Sequence, residues 1–130
     1  MAASPVWAAT PRYTSVTIST ANTNRDGSGT ITTCFTAGSS GSVAFSCTIF
    51  AHSTTTAGMV RLYHYDGTNS YCFAEIPVSA ITPSGTVQAF KADVNLADFG
   101  FTCPLPANHA IKASTHNAET FAVHIRGGDL

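Results

Sequence analysis

The chain is 130 residues long, the size of one ordinary domain that can bury a sizeable core. Charged residues make up only 10% of it and nearly cancel, leaving a net charge of -1. A protein that grips a phosphate backbone or an acidic lipid surface needs a basic patch. We therefore expect neither a nucleic acid nor a membrane as a partner. Abundant Ser and Thr must replace charges on the solvated surface, and the richness in Thr and Val predicts mostly β structure.

The first residues, MAASPVWAATPRY, lack the charged start and unbroken apolar stretch of a signal peptide. The sequence thus predicts a product that stays in the cytoplasm where it is made. Residues 1–12 contain Pro5, Pro11 and the only tryptophan, Trp7, without clear periodicity, which indicates an extended arm. Because a buried Trp contributes heavily to interfaces, we expect Trp7 to dock on a neighbouring surface. The alternative is a first segment folded onto its own domain.

From residue 13 onward, short β-rich segments alternate with turn residues about every 10 residues, a pattern typical of a sandwich or barrel. In chain order, the predicted strands lie in residues 13–20, 30–35, 42–50, two arms of a hairpin around DGTN at 66–69, 87–96, 110–115 and 120–127. Pro104 and Pro106 cannot donate to a central ladder, so they mark a connection or an edge. About eight strands with short loops predict an all-β fold over residues 13–130, an antiparallel two-sheet sandwich of the jelly-roll type.

Period-two alternation assigns side chains of four predicted strands to a common inward face. These residues are Val16 and Ile18, then Val43, Phe45, Cys47 and Ile49, then Val60, Leu62 and His64, and finally Phe121, Val123 and Ile125.

The four cysteines, Cys34, Cys47, Cys72 and Cys103, are widely spaced and each adjoins apolar residues. They are predicted to be reduced, buried small hydrophobes, with one or two disulfides or a zinc site as the alternatives. The five histidines show no spacing that would place two ring nitrogens on one metal within a strand. We therefore expect no metal and no cofactor, with a two- or three-His metal site assembled across strands as the alternative. The stretches RDGSG and DGTN lack the spaced acidic ligands of a calcium loop and are interpreted as turns.

The stretch KASTHNAET places Ser114, His116, Asn117 and Glu119 within six positions. Members of a catalytic triad come from separate elements that converge in space, whereas these residues crowd into one short connection. Ser, Asn and Glu are also what a tight connection between strands uses. We interpret the stretch as a join with no catalytic residue, and expect His116 and Asn117 to hold a neighbouring strand or subunit.

Tyr63, Tyr65 and Tyr71 are predicted to form an exposed aromatic strip across the hairpin. Two of them share the outward face of one strand, and the third lies on the partner strand. Such a strip can pack against a neighbouring subunit or stack on sugar rings.

Several phrases along the chain resemble a family of small structural proteins of tailed bacteriophages and prophages. They are TANTNRDGSGTI, TTTAGMVRLYHYDGTN, EIPVSAITPS and LPANHAIKASTHNAETFAV, which together span most of residues 20–128. Within that group the chain resembles a head decoration, or cement, protein. The resemblance implies a small, non-enzymatic β-rich subunit, often trimeric, that sits on the outer capsid of the virion and clamps neighbouring major capsid proteins. A tail or fibre component, or a carbohydrate-binding adhesion module, is the alternative.

Overall fold

The computed structural model describes residues 10–96 and 103–130. Within these residues, nine strands form two antiparallel sheets. In chain order the strands are β1 (Thr10–Ile18), β2 (Thr32–Thr36), β3 (Ser42–Ala51), β4 (Gly58–Tyr65), β5 (Ser70–Val78), β6 (Lys91–Asn95), β7 (Cys103–Leu105), β8 (Ala110–Thr115) and β9 (Phe121–Asp129). The predicted all-β class and two-sheet sandwich are confirmed, with β7 as an additional short strand.

The sheet order is that of a jelly roll. One sheet has the order β1-β9-β3-β6, with the short β7 also paired to β3, and the other has the order β2-β8-β4-β5. Each sheet thus alternates strands from the first and second halves of the chain, as the nested hairpins of a jelly roll require. Strand β7 contains Pro104 and lies at the edge of its sheet, where a residue without an N–H is tolerated.

Strand β1 begins at Thr10, inside the segment for which an arm was predicted. Thr10, Pro11 and Arg12 pair with the last residues of β9, so these three belong to the sheet. Arg12 also closes one side of the sandwich, since its Nη1 donates to the Thr36 carbonyl at 2.6 Å and to Asp129 Oδ1 at 3.1 Å. Residues 1–9, including Trp7, lie outside the described residues.

The core lies between the two sheets and follows the predicted alternation in most strands. Ile18, Phe121, Val123 and Ile125 are buried in it, and Val16 packs against it from β1. A fully buried large aliphatic or aromatic side chain contributes about 1.5–3 kcal/mol relative to an exposed one. Burial of these side chains, and of their partners from the other sheet, accounts for the closure of the two layers.

A β-bulge in β3 overturns one predicted inward residue. Ala44 pairs with Gly127 and Ser46 with Arg126, so Phe45 is an extra residue in the ladder. Phe45 is half-buried and outside the core cluster, whereas Ala44 is fully buried in it. The prediction of Phe45 on the core face is wrong because an inserted residue shifts the alternation by one position.

The bulge coincides with a close approach of two strands at Gly127. A Cβ on this residue would overlap the carbonyl oxygen of Val43, which belongs to the backbone and cannot turn aside. Glycine is therefore required there for packing space.

The predicted reduced state is confirmed for the three cysteines whose side chains are described, and the predicted burial for two of them, since Cys72 is only half-buried. Cys34, Cys47 and Cys72 are free thiols, and the first two are buried in the core. Burial raises the pKa of both the Cys34 and the Cys47 thiol to about 12, so they stay protonated at neutral pH. The side chain of Cys103 lies outside the described residues. No helix within residues 10–96 and 103–130 is long and apolar enough to span a bilayer.

Candidate interaction surfaces

The KASTHNAET stretch turns the chain from β8 into β9. Ser114 is buried at the end of β8, and its hydroxyl lies 3.1 Å from the Tyr63 hydroxyl. His116 follows; its backbone N–H donates to the Met59 carbonyl at 2.8 Å, and its Nδ1 lies 3.5 Å from Nη1 of Arg61. Ser114 therefore has a phenol as its hydrogen-bond partner, and the serine and the histidine are not arranged as a nucleophile with its base.

The rest of this stretch fastens the β3–β4 connection. Asn117 Nδ2 donates to Thr56 Oγ1 at 3.1 Å and to the Ala57 carbonyl at 3.2 Å. Glu119 Oε2 accepts hydrogen bonds from the backbone N–H and the hydroxyl of Thr56, at 2.9 and 2.7 Å. The prediction of a structural join is confirmed, and the structure it holds is another loop of the same chain. Contact of His116 and Asn117 with a neighbouring subunit stays a prediction.

The three predicted strip tyrosines lie in three different environments. Tyr63 is fully buried, and its hydroxyl donates to the Asn24 carbonyl at 3.0 Å. Tyr65 is half-buried; its hydroxyl donates to the Gly67 carbonyl at 2.9 Å, and the Lys112 Nζ lies 3.9 Å from its ring centroid. Tyr71 is 55% exposed. The predicted exposed strip is wrong because Tyr63, although on the outward face of β4, is covered by another part of the chain.

The covering segment is the long β1–β2 connection, residues 19–31, called here the cover segment. Ala21 forms a parallel bridge to Thr115, and the Asn22 backbone N–H donates to the Thr115 carbonyl at 2.8 Å. The buried Asn22 side chain donates to the carbonyls of Ser28 and Thr30 at 2.9 and 3.0 Å. The cover segment is thus a compact loop folded on its own asparagine and attached to β8.

An ionic cluster attaches the same segment to β5. Glu75 Oε2 accepts from Arg25 Nε at 2.6 Å and from Arg61 Nε at 2.8 Å. Arg25 belongs to the cover segment, whereas Arg61 is buried beneath it in β4. The hydrogen bonds from Arg25 and then Arg61 hold the pKa of the Glu75 carboxyl below its ordinary value. Glu75 is therefore ionised at neutral pH and links the segment to the sheet.

Two aromatic side chains next to this cluster remain uncovered. Leu62 pairs with Ala74 and Tyr63 with Cys72, so Phe73 is an extra residue in β5. Phe73 is 46% exposed in this edge strand, and Tyr71, two residues before it, is 55% exposed. We call Tyr71 and Phe73 the β5 rim. An open groove of about 430 Å³ runs beside them, and Arg25 and Glu75 are among the residues that line it.

A second uncovered surface is the outer face of the β1-β9-β3-β6 sheet, called here the open face. Tyr13 is 59% exposed on it. Its ring centroid lies 5.8 Å from that of His124, and the Arg126 Cζ lies 5.2 Å from the Tyr13 ring centroid. His124 Nδ1 lies 2.8 Å from the Ser15 hydroxyl.

The network of the open face continues across two further strands. Arg126 Nη1 donates to Ser46 Oγ at 3.3 Å and to Thr48 Oγ1 at 3.2 Å. Thr48 in turn donates to Asp93 Oδ1 at 2.7 Å, and this bond is the main cause that lowers the pKa of the Asp93 carboxyl. Sequence alternation placed Ser46 and Thr48 away from the core, but only the cross-strand register brings them to Arg126.

Comparisons with known proteins give matches among solved structures alone. No protein-family model matches the chain, and no curated protein matches it significantly. The chain is similar to a chain of the cyanophage Pam1 capsid asymmetric unit, with a TM-score of 0.49 and 13% identity, over 98% of this chain and 91% of that one. It is also similar to a chain of infectious bursal disease virus, Gt strain, with a TM-score of 0.36 and 14% identity, over 92% of this chain and 32% of that one.

Proposed function

We propose that this chain is a structural protein of a tailed-bacteriophage virion, and specifically a capsid decoration protein. In this role it binds the outer capsid surface and bridges neighbouring major capsid proteins. The resemblance of its phrases over residues 20–128 to small phage structural proteins supports the proposal. So does the jelly roll, an architecture found in viral capsid and lectin domains.

The observation that carries the proposal is the β5 rim on a chain with few charges. Tyr71 and Phe73 are 55% and 46% exposed, side by side, at the edge of a sheet. Aromatic residues are enriched in the cores of protein interfaces, where charged residues are depleted. With charged residues at only 10% of the sequence, the surrounding hydroxyl-rich surface can be buried without desolvating many ions. The rim therefore suits close packing against another protein.

The proposed mechanism is mechanical. Each copy buries its rim against the capsid shell, and many copies across the seams between major capsid proteins add interface free energy that opposes the pressure of packaged DNA. A homotrimer presents three rims at once, so that binding of one raises the effective concentration of the others. No nucleic-acid or membrane contact is part of this mechanism.

The N-terminal residues are assigned a supporting part in the same proposal. Residues 1–9 precede β1, and Trp7 among them is proposed to dock on a neighbouring subunit. Deletion of residues 1–9, which leaves β1 complete, is expected to lower capsid occupancy or the heat resistance of particles. Unchanged occupancy and heat resistance would remove the arm from the proposal while leaving the rim in it.

The rim is tested by binding of purified protein to undecorated phage heads. The double variant Tyr71→Ser, Phe73→Ser is expected to bind at least about tenfold more weakly, because central aromatic anchors each contribute on the order of 2 kcal/mol or more. Val87→Ser is the matched control, since Val87 is 48% exposed and lies outside the rim. Thermal unfolding of each variant checks that the fold persists. Equal affinity of the double variant and the control would contradict the proposed role of the rim.

One observation supports the alternative, a tail, fibre or adhesion function. Tyr13 presents an exposed ring beside His124 and Arg126, and a ring with neighbouring hydrogen-bonding groups can stack on a sugar. Immunogold labelling of virions distinguishes the two functions. Labelled heads support capsid decoration, and labelled tails support the tail, fibre or adhesion function instead.

A further inference from the structure

An apolar groove opens between the two sheets, on the side of the sandwich opposite β1 and β2. It has a volume of about 210 Å³ and is lined by His64, Phe73 and Ile111 from one sheet and by Pro104 and Leu105 from the other. Leu105 and Ile111 are buried, whereas Phe73 is 46% exposed and Pro104 is exposed. The groove therefore leads from the surface to the apolar core.

The groove has the size and character of a site for one large apolar side chain. Its volume equals that of about seven water molecules, at about 30 Å³ each, which is enough for an aromatic ring system. His64 follows the fully buried Val60 and Leu62 on the core face of β4. An apolar group placed here removes the exposed Phe73 ring from water and continues the packing of the core.

Residues 1–9, MAASPVWAA, contain a side chain that suits this groove. They carry no charged side chain, and Trp7 is flanked by apolar residues. An indole offers a large apolar area and one N–H group, which needs an acceptor when it is buried. Nε2 of His64 lies 2.8 Å from Nδ1 of His109. When Nε2 is the donor of that pair, Nδ1 of His64 can accept from the indole N–H.

The reach of the chain favours the groove of a second copy over the groove of the same copy. Thr10, Asp129, Ser42 and Leu105 lie in one row across four adjacent strands. At about 4.8 Å between strands, Thr10 and Leu105 are roughly 14 Å apart. Trp7 is three residues before Thr10, so its Cα lies at most roughly 11 Å from that of Thr10. The backbone at Trp7 thus falls short of Leu105 in its own copy.

We propose that Trp7 of one copy docks into this groove of a neighbouring copy, between Phe73 and Leu105. The inference rests on the proposed docking of the N-terminal residues on a neighbouring subunit, and it assigns the surface that receives them. Arm and groove are different surfaces, so the contact is head-to-tail, and such contacts close into rings such as the proposed homotrimer. Because Phe73 also belongs to the β5 rim, docking places the arm of one copy beside the rim of the next.

The fluorescence of Trp7 tests the docking, since Trp7 is the only tryptophan of the chain. Full-length protein is diluted while its emission and its oligomeric state, by analytical ultracentrifugation, are followed together. We expect blue-shifted emission that is protected from acrylamide in the oligomer, and a red shift on dissociation. Absence of an oligomer, or exposed Trp7 emission in the oligomer, would overturn the inference. Blue-shifted emission that persists in the monomer would also overturn it, because Trp7 would then dock within one copy.

The groove is tested by Pro104→Asp, which places a carboxylate in the apolar lining at an exposed position of an edge strand. Pro106→Asp is the matched control, since Pro106 is also exposed and lies two residues further on, outside the lining. Pro104→Asp and Trp7→Ser should each weaken self-association by at least about tenfold, as loss of a central aromatic contact does. Pro106→Asp should associate as the wild type does. Equal association of the two Asp variants would overturn the groove as the acceptor.

A second measurement decides the matter if thermal unfolding shows that Pro104→Asp does not fold. Full-length Trp7→Ser contains no tryptophan, so the emission of an added peptide of residues 1–9 reports binding of the peptide alone. Saturable blue-shifted emission supports the inference, and unchanged emission contradicts it. None of these measurements uses phage heads. Intact docking without binding to heads would therefore count against the decoration role alone.

Discussion

The outer faces of the two sheets carry the same sequence pattern but differ in exposure to solvent. On the β2-β8-β4-β5 sheet, the outward residues Arg61 and Tyr63 are buried beneath the cover segment. On the β1-β9-β3-β6 sheet, the outward residues Tyr13 and Arg126 form the open face. Both faces carry a tyrosine, an arginine and several hydroxyls. On the first sheet these residues form a buried polar layer, whereas on the second they remain at the surface.

The difference in exposure arises from the cover segment, which lies over the outward residues of one sheet. The cover segment contains Asn22, whose side chain replaces a backbone partner for two loop carbonyls, and Gly29, which packs on that side chain with φ +83°. This internal bonding holds the loop in a compact form, and the Tyr63 hydroxyl donates to its Asn24 carbonyl. Tyr63 is therefore buried although it occupies an outward position in its strand, because another segment of the chain lies over it.

The largest expected contrast between the faces is at their tyrosines. Tyr63→Ala should lower the free energy of unfolding by about 3–5 kcal/mol, because it leaves a cavity and removes the hydroxyl that bonds Asn24 and Ser114. Tyr13→Ala should change it by no more than about 0.5 kcal/mol, since the ring is mostly in solvent. Urea denaturation of both variants measures the contrast. Similar losses would show that the cover segment does not shield its face in solution.

A smaller contrast is expected at the polar groups that organise each face. Asn22→Ala should cost about 1–3 kcal/mol, because it removes the two hydrogen bonds that the buried Asn22 amide donates to the Ser28 and Thr30 carbonyls. It should also speed amide exchange at the backbone N–H of Asn22, which bonds Thr115. Ser15→Ala on the open face removes one exposed contact to His124 and should have little effect. Equal protection of the cover segment in Asn22→Ala and wild type would contradict the role given to this side chain.

The smallest contrast is in the acid dependence of stability. The carboxyls of Glu75 and Asp93 have folded-state pKa values below their ordinary values of 4.5 and 3.8. Each therefore stabilises the fold above its ordinary pKa, and this stabilisation is lost as the pH falls through the folded-state pKa. Unfolding free energies measured between pH 6 and the acid limit of folding should fall less steeply in Glu75→Gln than in wild type. The effect of Asp93→Asn should be smaller, because only one hydroxyl donates to the Asp93 carboxyl, whereas two guanidinium groups donate to the Glu75 carboxyl.

If Asp93→Asn flattened the acid dependence more than Glu75→Gln, the ionic cluster would not be what holds the cover segment down. The attachment of the cover segment would then depend on the Asn22 hydrogen bonds alone.

Sequence reasoning reached the jelly-roll sandwich because regular alternation dominates most strands. Phe121, Val123 and Ile125 were placed inward correctly, as were Val60 and Leu62. It failed at a single inserted residue. The bulge at Phe45 carries no turn residue, and its position is set by pairing with β9, which is distant in the chain.

The interaction surfaces were less predictable because they depend on contacts between distant segments. Tyr63 was taken as exposed, since no local pattern shows that residues 19–31 cross its face. Tyr71 was placed at the surface, but its neighbour Phe73 was missed. The His64–His109 contact joins residues 45 positions apart and follows only from the β4–β8 pairing. The join made by Asn117 and Glu119 was recognisable as a turn, but its partner Thr56 was not.

The central claim, a capsid decoration role, is tested most directly by a cryo-electron map of intact virions that contain the chain. The account predicts jelly-roll density on the outside of the head, with the β5 rim against a neighbouring protein and the seams between major capsid proteins bridged. Heads that lack this density, or density confined to the tail, would contradict it.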